Sequence, residues 1–316
     1  MSIPAMSVVV IDRHGDLRET LGALLAQGTT AGVELVLVAA DVEAARRAYP
    51  ELAAFETVNV VAGAAAPTSS MAIAAGVRAS RGAVVAYCED HVFPEPGWVQ
   101  ARLDAHAAGA AVVGGTLRNA NPATAVSWAS FLQSFGPFAM PVAGGRSANL
   151  PWHQCSYRRD VLPLGSELEA LLETEGLLHG DLLEAGHTLV LEAAAVAGHI
   201  NPSRLSSHMI HAWVGGRVWG AGRARHARWS RARRACNALL CPWNALMALR
   251  LRMADVQRVM PSRRRSIAAA MAAGIAVHAV GEAIGVLLGH GGATILRTDL
   301  ELNRRAHLAD GDLPGR

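Results

Sequence analysis

The chain has 316 residues, of which 51% are hydrophobic, with a net charge of +3 and four cysteines, and its mean hydropathy is +0.23. That length supports a full hydrophobic core, as one large domain or a domain with an appendage, and leaves both an enzyme and membrane contact open. The cysteines Cys88, Cys155, Cys236 and Cys241 lack the CxxC pairing of a zinc site and the density of a secreted disulfide scaffold, which points to a reducing cytoplasm, and the opening MSIPAMSVVVIDRHGD lacks the basic region of a signal peptide.

In chain order, Ser7 to Ile11 is an apolar β-branched run, Leu17 to Gln27 an amphipathic helix and Glu34 to Val38 a second buried strand. A helix over Val42 to Tyr49, a strand over Thr57 to Val61, a helix over Met71 to Ala79 and a strand over Ala83 to Tyr87 follow. Strands alternating with helices predict an α/β domain with a mostly parallel sheet covered by helices on both faces. Ligands of such sheets bind beyond the C-terminal strand ends, so chemistry is expected directly after Tyr87. Beyond Gly97 a helix runs to about Ala108, then a strand over Ala110 to Val113. An Asn-, Pro- and Gly-containing segment reaching Leu150 has the composition of loops around a pocket. Helices near Glu167 to Leu172 and Leu177 to Glu184 and a strand over Thr188 to Glu192 resume the α/β pattern. After His199 the pattern becomes long basic helices over Ser206 to Leu251, and then an Ala/Gly-rich apolar stretch, Ile267 to Leu288, behind Arg263-Arg264-Arg265. These shifts divide the chain into a catalytic-type domain over 1–203 and a helical, basic and apolar extension over 204–316.

The turn Glu89-Asp90-His91 gathers two carboxylates and an imidazole at a strand end, which suits Mg²⁺ or Mn²⁺ beside phosphate oxygens. Val92-Phe93-Pro94-Glu95-Pro96-Gly97-Trp98 follows, its prolines fixing the exit path. In this setting AYCEDHVFPEPGW resembles the metal-binding strand end of family 2 glycosyltransferases, with Glu89 and His91 where that family commonly has two aspartates. The opening VVVIDRHGDLRETLGALLAQ, the strand VELVLVAADVE, the helix containing Gly76, the segment NLPWHQCSYRRDVL and the stretch LETEGLLHGDLLEAGHTLVLEAAAVAGH resemble the family's later landmarks in the same order, over roughly residues 7 to 200.

The resemblance implies a nucleotide-binding α/β domain of the glycosyltransferase A-type fold, a nucleotide-sugar donor, and an inverting, metal-assisted transfer of a hexosyl or related group. The acceptor hydroxyl would belong to a cell-envelope glycan, a lipid or a secondary metabolite. It implies Glu175 as general base, with Glu173 as the fallback and Thr174 replacing the other acid. Glu89, Asp90, His91 and His199 become candidate metal ligands; Asp12, Glu89, Asp90, Arg158, Arg159 and Arg217 candidate contacts of the donor diphosphate; Trp152 and His153 candidate acceptor contacts. Ala39 and Ala40 replace the family's base-contacting aspartate, and Ile73 and Ala74 stand where it has an Arg-Asn pair, so donor recognition must differ.

Every basic side chain besides histidine is an arginine, and eight of the arginines fall between Arg204 and Arg234. There Trp213, Trp219 and Trp229 interleave with Arg217, Arg223, Arg225, Arg228, Arg231, Arg233 and Arg234. This pattern fits a helix lying on an anionic membrane, a solvated basic face or a diphosphate-binding arm; nucleic acid is disfavoured for want of a recognition motif. Residues 267–288 nearly reach bilayer-spanning length but contain His278 and Glu282, which favours a packed hairpin or a helix on the inner membrane face over a span. The expected location is cytoplasmic, peripheral on the inner face of the cell membrane. Two other functions stay open: a non-catalytic glycan- or partner-binding protein with a degenerate transferase domain, and a nucleotidyltransferase, for which Asp12-Arg13-His14-Gly15-Asp16 is a poor glycine- and lysine-containing loop.

Overall fold

The computed structural model describes residues 3–15, 17–28, 32–63 and 65–312; Asp16 of the Asp12 to Asp16 loop and the last four residues of the C-terminal extension lie outside them. Two compact units result: Met1–Arg118 with Val142–His199, and Asn119–Pro141 with Ile200–Arg316.

The first unit opens with the apolar runs that the composition marks as buried strands. These are β1 (Met6–Asp12), β2 (Val33–Ala39), β3 (Thr57–Ala62) and β4 (Val84–Cys88). They pair in parallel in the order β3-β2-β1-β4, with Val10 opposite both Val38's neighbour Leu37 and Cys88. Three helices connect them: α1 (Arg18–Leu25), α2 (Val42–Ala48) and α3 (Ser69–Ala79). Asp41 caps α2 by accepting from Ala44 N–H, and Thr68 caps α3 by accepting from Met71 N–H. Gly76 lets α3 approach the sheet: a Cβ there would come 2.3 Å from Val9 Cγ1.

Beyond β4 the expectation of a mostly parallel sheet gives way. The remaining strands are β5 (Val92–Pro94), β6 (Val112–Asn119), β7 (Gly145–Arg146), β8 (Cys155–Arg158) and β9 (Leu189–His199). They extend the order as β4-β8-β6-β9-β5, with β7 also on β9. The β4–β8, β6–β8, β5–β9 and β7–β9 pairs are antiparallel, so the sheet is mixed. The reason is connection length. A parallel neighbour needs a crossover of about a dozen residues or more, whereas only Glu89, Asp90 and His91 separate β4 from β5. That strand therefore leaves β4 and pairs with the far end of β9. Helices α4 (Trp98–Ala107), α6 (Leu168–Glu173) and α7 (Glu175–Glu184) complete the unit. The strand expected over Thr188 to Glu192 continues to His199: Ala-rich 193–198 carries a single β-branched residue, Val196, yet finds partners in β5.

In the second unit, α5 (Ala125–Phe135) occupies part of the segment expected to be loops; it is capped by Thr124, which accepts from Ser127 N–H. It is joined by α8 (Leu205–His226), α9 (Arg231–Val259), α10 (Arg264–Leu288) and α11 (Ala293–Leu302). Helices α8 and α10 touch backbone to backbone. A Cβ on Gly216 would lie 2.1 Å from His278 O, and one on Gly281 2.2 Å from Trp213 O, the small-residue packing that two GxxxG stretches permit. In the arginine–tryptophan stretch the tryptophans, Arg217, Arg223 and Arg234 are half-buried, while Arg225, Arg228, Arg231 and Arg233 are exposed. The Arg217 guanidinium lies over Trp213, Arg223 between Trp219 and Trp229, and Arg233 over Trp229. Arg223 is also ion-paired with the buried Glu282. Pro261–Leu288 is long and apolar enough to cross a membrane by length and composition, with 44% of its apolar window buried inside the protein.

Candidate functional site

The site starts from the position of β4, between β1 and β8 at the middle of the sheet. The chain leaves β4 through a turn closed by Val92 N–H donating to Glu89 O (3.1 Å). The Thr20 hydroxyl of α1 donates to Asp90 O (2.9 Å), tying the turn to the first βα connection. Because Val92 pairs with His199 in the β5–β9 ladder, the last residue of β9 arrives beside the acidic turn. The His91 and His199 rings meet edge to face with centroids 4.9 Å apart. Glu89 Oε2 lies 3.5 Å from His91 Nε2 and 3.6 Å from His199 Nε2, all three side chains being nearly buried. The ligand atoms of Glu89, His91 and His199 lie within 4.8 Å of one another.

The second wall is the loop before β8. Gln154 Nε2 donates to Glu89 Oε2 (3.2 Å), and His153 Nδ1 lies 3.8 Å from Glu89 Oε1. His153 adopts the left-handed backbone conformation, φ 60°, a cost that needs fixed surroundings. Its N–H donates to Glu175 Oε2, while the Tyr157 hydroxyl donates to Glu175 Oε1 (2.6 Å) and lies 2.8 Å from His179 Nε2. Burial lowers His179 to about 4, so its ring is neutral at pH 7; because the Tyr157 proton goes to Glu175, Nε2–H donates to the tyrosine oxygen, and among the described residues His179 Nδ1 has no hydrogen-bond partner. Burial also pushes the Tyr157 hydroxyl well above its usual range. From the other side Arg102, fully buried, donates to Gln154 O (2.8 Å) and Val113 O (2.8 Å) and stacks on Trp98 at 4.1 Å. Burial lowers its guanidinium to about 10, which leaves it charged at neutral pH.

Of the residues singled out from sequence, Glu89, His91, His199 and His153 converge here. Asp90 does not join the donor set: its Oδ1 sits 2.8 Å from His91 Nδ1, where it orients that ring. Asp12 ends β1 on the same sheet edge, and its Oδ1 accepts from Gly15 N–H (2.8 Å). Glu175 is fully buried, with one bond to each carboxylate oxygen from His153 and Tyr157. Glu173 ends α6 and is separated from Glu175 by the non-helical Thr174. Trp152 lies over the first turn of α7, where a Cβ on Gly176 would come 2.7 Å from the indole.

Within the first unit, two arginines expected at the diphosphate are placed elsewhere. Arg158 pairs with Val84 at the start of β4 and is ion-paired with Asp160 (2.9 Å). Arg159 donates to Gly82 O (2.7 Å) and Ser80 Oγ. At about 3.3 Å per residue, five-residue β4 separates both from the acidic turn by roughly 15 Å. The physical reason is the antiparallel run of β8, which carries its arginine end toward the N-terminal edge of β4. Arg217 belongs to the second unit, where Nε donates to Gly289 O (3.1 Å).

Four further residues that no motif marks border the candidate site: Gln154, Tyr157, His179 and Arg102. Two of them left a trace in the spacing, since Trp98 and Arg102, and Glu175 and His179, each stand four apart on one helix face.

Donor chemistry tests whether a cation fits. A divalent ion bound at about 2.1 Å by two N/O ligands in tetrahedral geometry holds them roughly 3.4 Å apart, close to the 3.5 and 3.6 Å separations around Glu89. Two imidazoles with one carboxylate suit Mn²⁺ or Zn²⁺ better than Mg²⁺. A second buried group, Cys155, Glu175 and His179, fits poorly: the Tyr157 hydroxyl already bridges Glu175 and His179, and burial pushes the Cys155 thiol up to about 12, against thiolate formation. No protein-family model matches the chain, and a search of curated proteins finds no match either.

Proposed function

We propose that the first unit is a metal-assisted, inverting glycosyltransferase of the glycosyltransferase A type, taking a sugar from a nucleotide-sugar donor to an acceptor hydroxyl. The observation that carries this reading is the convergence of Glu89, His91 and His199 at the C-terminal end of β4, where open α/β sheets bind nucleotides. When bound there, a divalent cation supplies Lewis-acid stabilisation of negative charge on the leaving diphosphate. The chain's own residues do the rest. Asp90 fixes the His91 ring, Gln154 and His153 border Glu89, and Arg102 holds the Gln154 carbonyl. In the reaction the acceptor oxygen attacks the anomeric carbon, the bond to the diphosphate oxygen breaks with its electron pair leaving on phosphate, and the acceptor proton passes to a carboxylate. Glu175 is the candidate for that base, joined to the acidic turn through His153.

The test is transfer or hydrolysis of candidate sugar nucleotides with Mn²⁺, against the same reaction in chelator. Equal rates in both would remove the metal from the mechanism. The burial of Glu175, with both oxygens engaged, favours a second reading, a non-catalytic glycan- or partner-binding domain. In that case nucleotide and Mn²⁺ would raise the melting temperature with no turnover of any donor.

A further inference from the structure

The geometry of α9 points to a membrane-docking surface on the second unit, and we propose that this face lies on an anionic lipid bilayer. The inference is independent of the transferase reading. Over its 29 residues α9 buries only Cys241 and Val256. Five of its large apolar side chains face solvent: Leu239 is 81% exposed, Trp243 60%, Leu251 62%, and Leu240 and Leu246 about half. Leu239, Trp243 and Leu246 stand at i, i+4 and i+7, one stripe of a helix. At 100° per residue that stripe points away from the side that carries Cys241 and Val256. Scattered exposed leucines need no explanation, whereas a contiguous stripe with an indole at its centre marks a contact surface.

Charge selects the partner. From its start to Ala254, α9 itself carries five arginines, Arg231, Arg233, Arg234, Arg250 and Arg252, and no aspartate or glutamate. The first acid to follow, Asp255, is already paired with Arg252 (2.7 Å) and Arg258 (3.1 Å). Where α9 gives way to α10, an open groove of about 810 Å³ is lined by Met253, Gln257, Arg263, Arg264 and Arg265. Apolar side chains that enter the acyl boundary, with arginines at headgroup level, are the two components of interfacial binding to anionic lipid. A second copy of this chain on the same face would bring two arginine-rich surfaces together without intervening acids, which like-charge repulsion opposes. The bilayer is lain upon, not crossed: α9 carries Arg231, Arg233, Arg250 and Arg252 along its length.

Cosedimentation of the full chain with vesicles of phosphatidylcholine, or of equal parts phosphatidylcholine and phosphatidylglycerol, tests this. The expected result is binding to the anionic vesicles that weakens as salt is raised, and release from membranes by carbonate. Leu239→Glu and Trp243→Glu each weaken vesicle binding by about tenfold or more, with unchanged circular dichroism because both positions are exposed. Ile3→Glu, 77% exposed in the first unit, leaves it unchanged. Undiminished binding by Trp243→Glu would overturn the proposal, as would retention in carbonate. So would a dimer, seen by light scattering and lost in Trp243→Glu, with no vesicle binding.

Discussion

Substituting Asp90 by alanine separates two roles that neighbouring carboxylates can play at a metal site. Glu89 belongs to the donor set with His91 and His199, while the Asp90 carboxylate meets the far nitrogen of His91, at 2.8 Å. A carboxylate in that outer position typically contributes about 10- to 100-fold in metal affinity. With Mn²⁺ at a hundred times the wild-type dissociation constant, binding stabilises the folded unit by about 2.7 kcal/mol. Asp90→Ala therefore removes about 1.3 to 2.3 kcal/mol of that stabilisation, whereas His199→Ala, which deletes a donor, removes nearly all of it. Isothermal titration of Mn²⁺, together with urea unfolding with and without the metal, reads both quantities. Mg²⁺ at the same concentration is expected to give a much smaller shift, because two of the three donors are imidazoles. Equal losses in the two variants would return Asp90 to the ligand set; no loss in either would show that the cluster holds no metal.

Tyr157→Phe deletes the hydroxyl between Glu175 and His179, leaves both groups buried and short of a partner, and lowers stability by about 2 to 4 kcal/mol in urea unfolding. Glu175→Gln lowers transfer by about 10²- to 10⁴-fold if Glu175 is the base; full retained activity moves the base elsewhere, first to Glu173. Burial holds His106, His179, His208 and His278 at about 4 against an ordinary 6.5. The unfolded chain therefore takes up protons between those values that the folded chain does not, so stability is level with respect to these groups above 6.5 and falls as the pH drops toward 4. The loss is on the order of 3 kcal/mol per histidine at full protonation, and unfolding curves that coincide above 6.5 and near 5 would refute it. Gly216→Val places side-chain atoms against the His278 carbonyl, where a Cβ alone would sit at 2.1 Å; it is expected to destabilise the second unit by about 1 to 3 kcal/mol or more in thermal unfolding.

The parallel half of the sheet was legible because its signal is local. Val8 to Ile11, Leu35 to Val38 and Val84 to Tyr87 are β-branched and apolar runs, and the helices between them carry their caps at Asp41 and Thr68. The antiparallel half was less so. Strand β5 has three residues, β7 has two, and the second half of β9 is mostly alanine, so each depends on partners far along the chain. The same contrast runs through the candidate site. Glu89 and His91 stand out as a strand-end cluster, and His199 entered through a family resemblance. What brings His199 to them is the Val92–His199 register, which no local pattern encodes. Arg158 and Arg159 were misplaced for the corresponding reason: their position depends on strand direction, and an antiparallel β8 sends them to the other end of β4.

The C-terminal helices show how one composition supports two opposite surfaces. Arginine beside tryptophan suits a membrane interface, but the same pair satisfies itself inside a helix packing, the guanidinium lying on the indole face as Arg223 does between Trp219 and Trp229. Which outcome wins is decided by the glycines. Gly216 and Gly220 face Gly281 and Gly285 so closely that the α8 and α10 backbones meet; Trp213, Arg217, Trp219 and Arg223, which flank that contact, are half-buried. Helix α9 has no such glycines along its length, so it does not sink into its neighbours, and its leucines and Trp243 stay at the surface. Glycine spacing, more than the density of arginine and tryptophan, therefore separates the helix that packs inward from the one whose apolar side chains stay exposed.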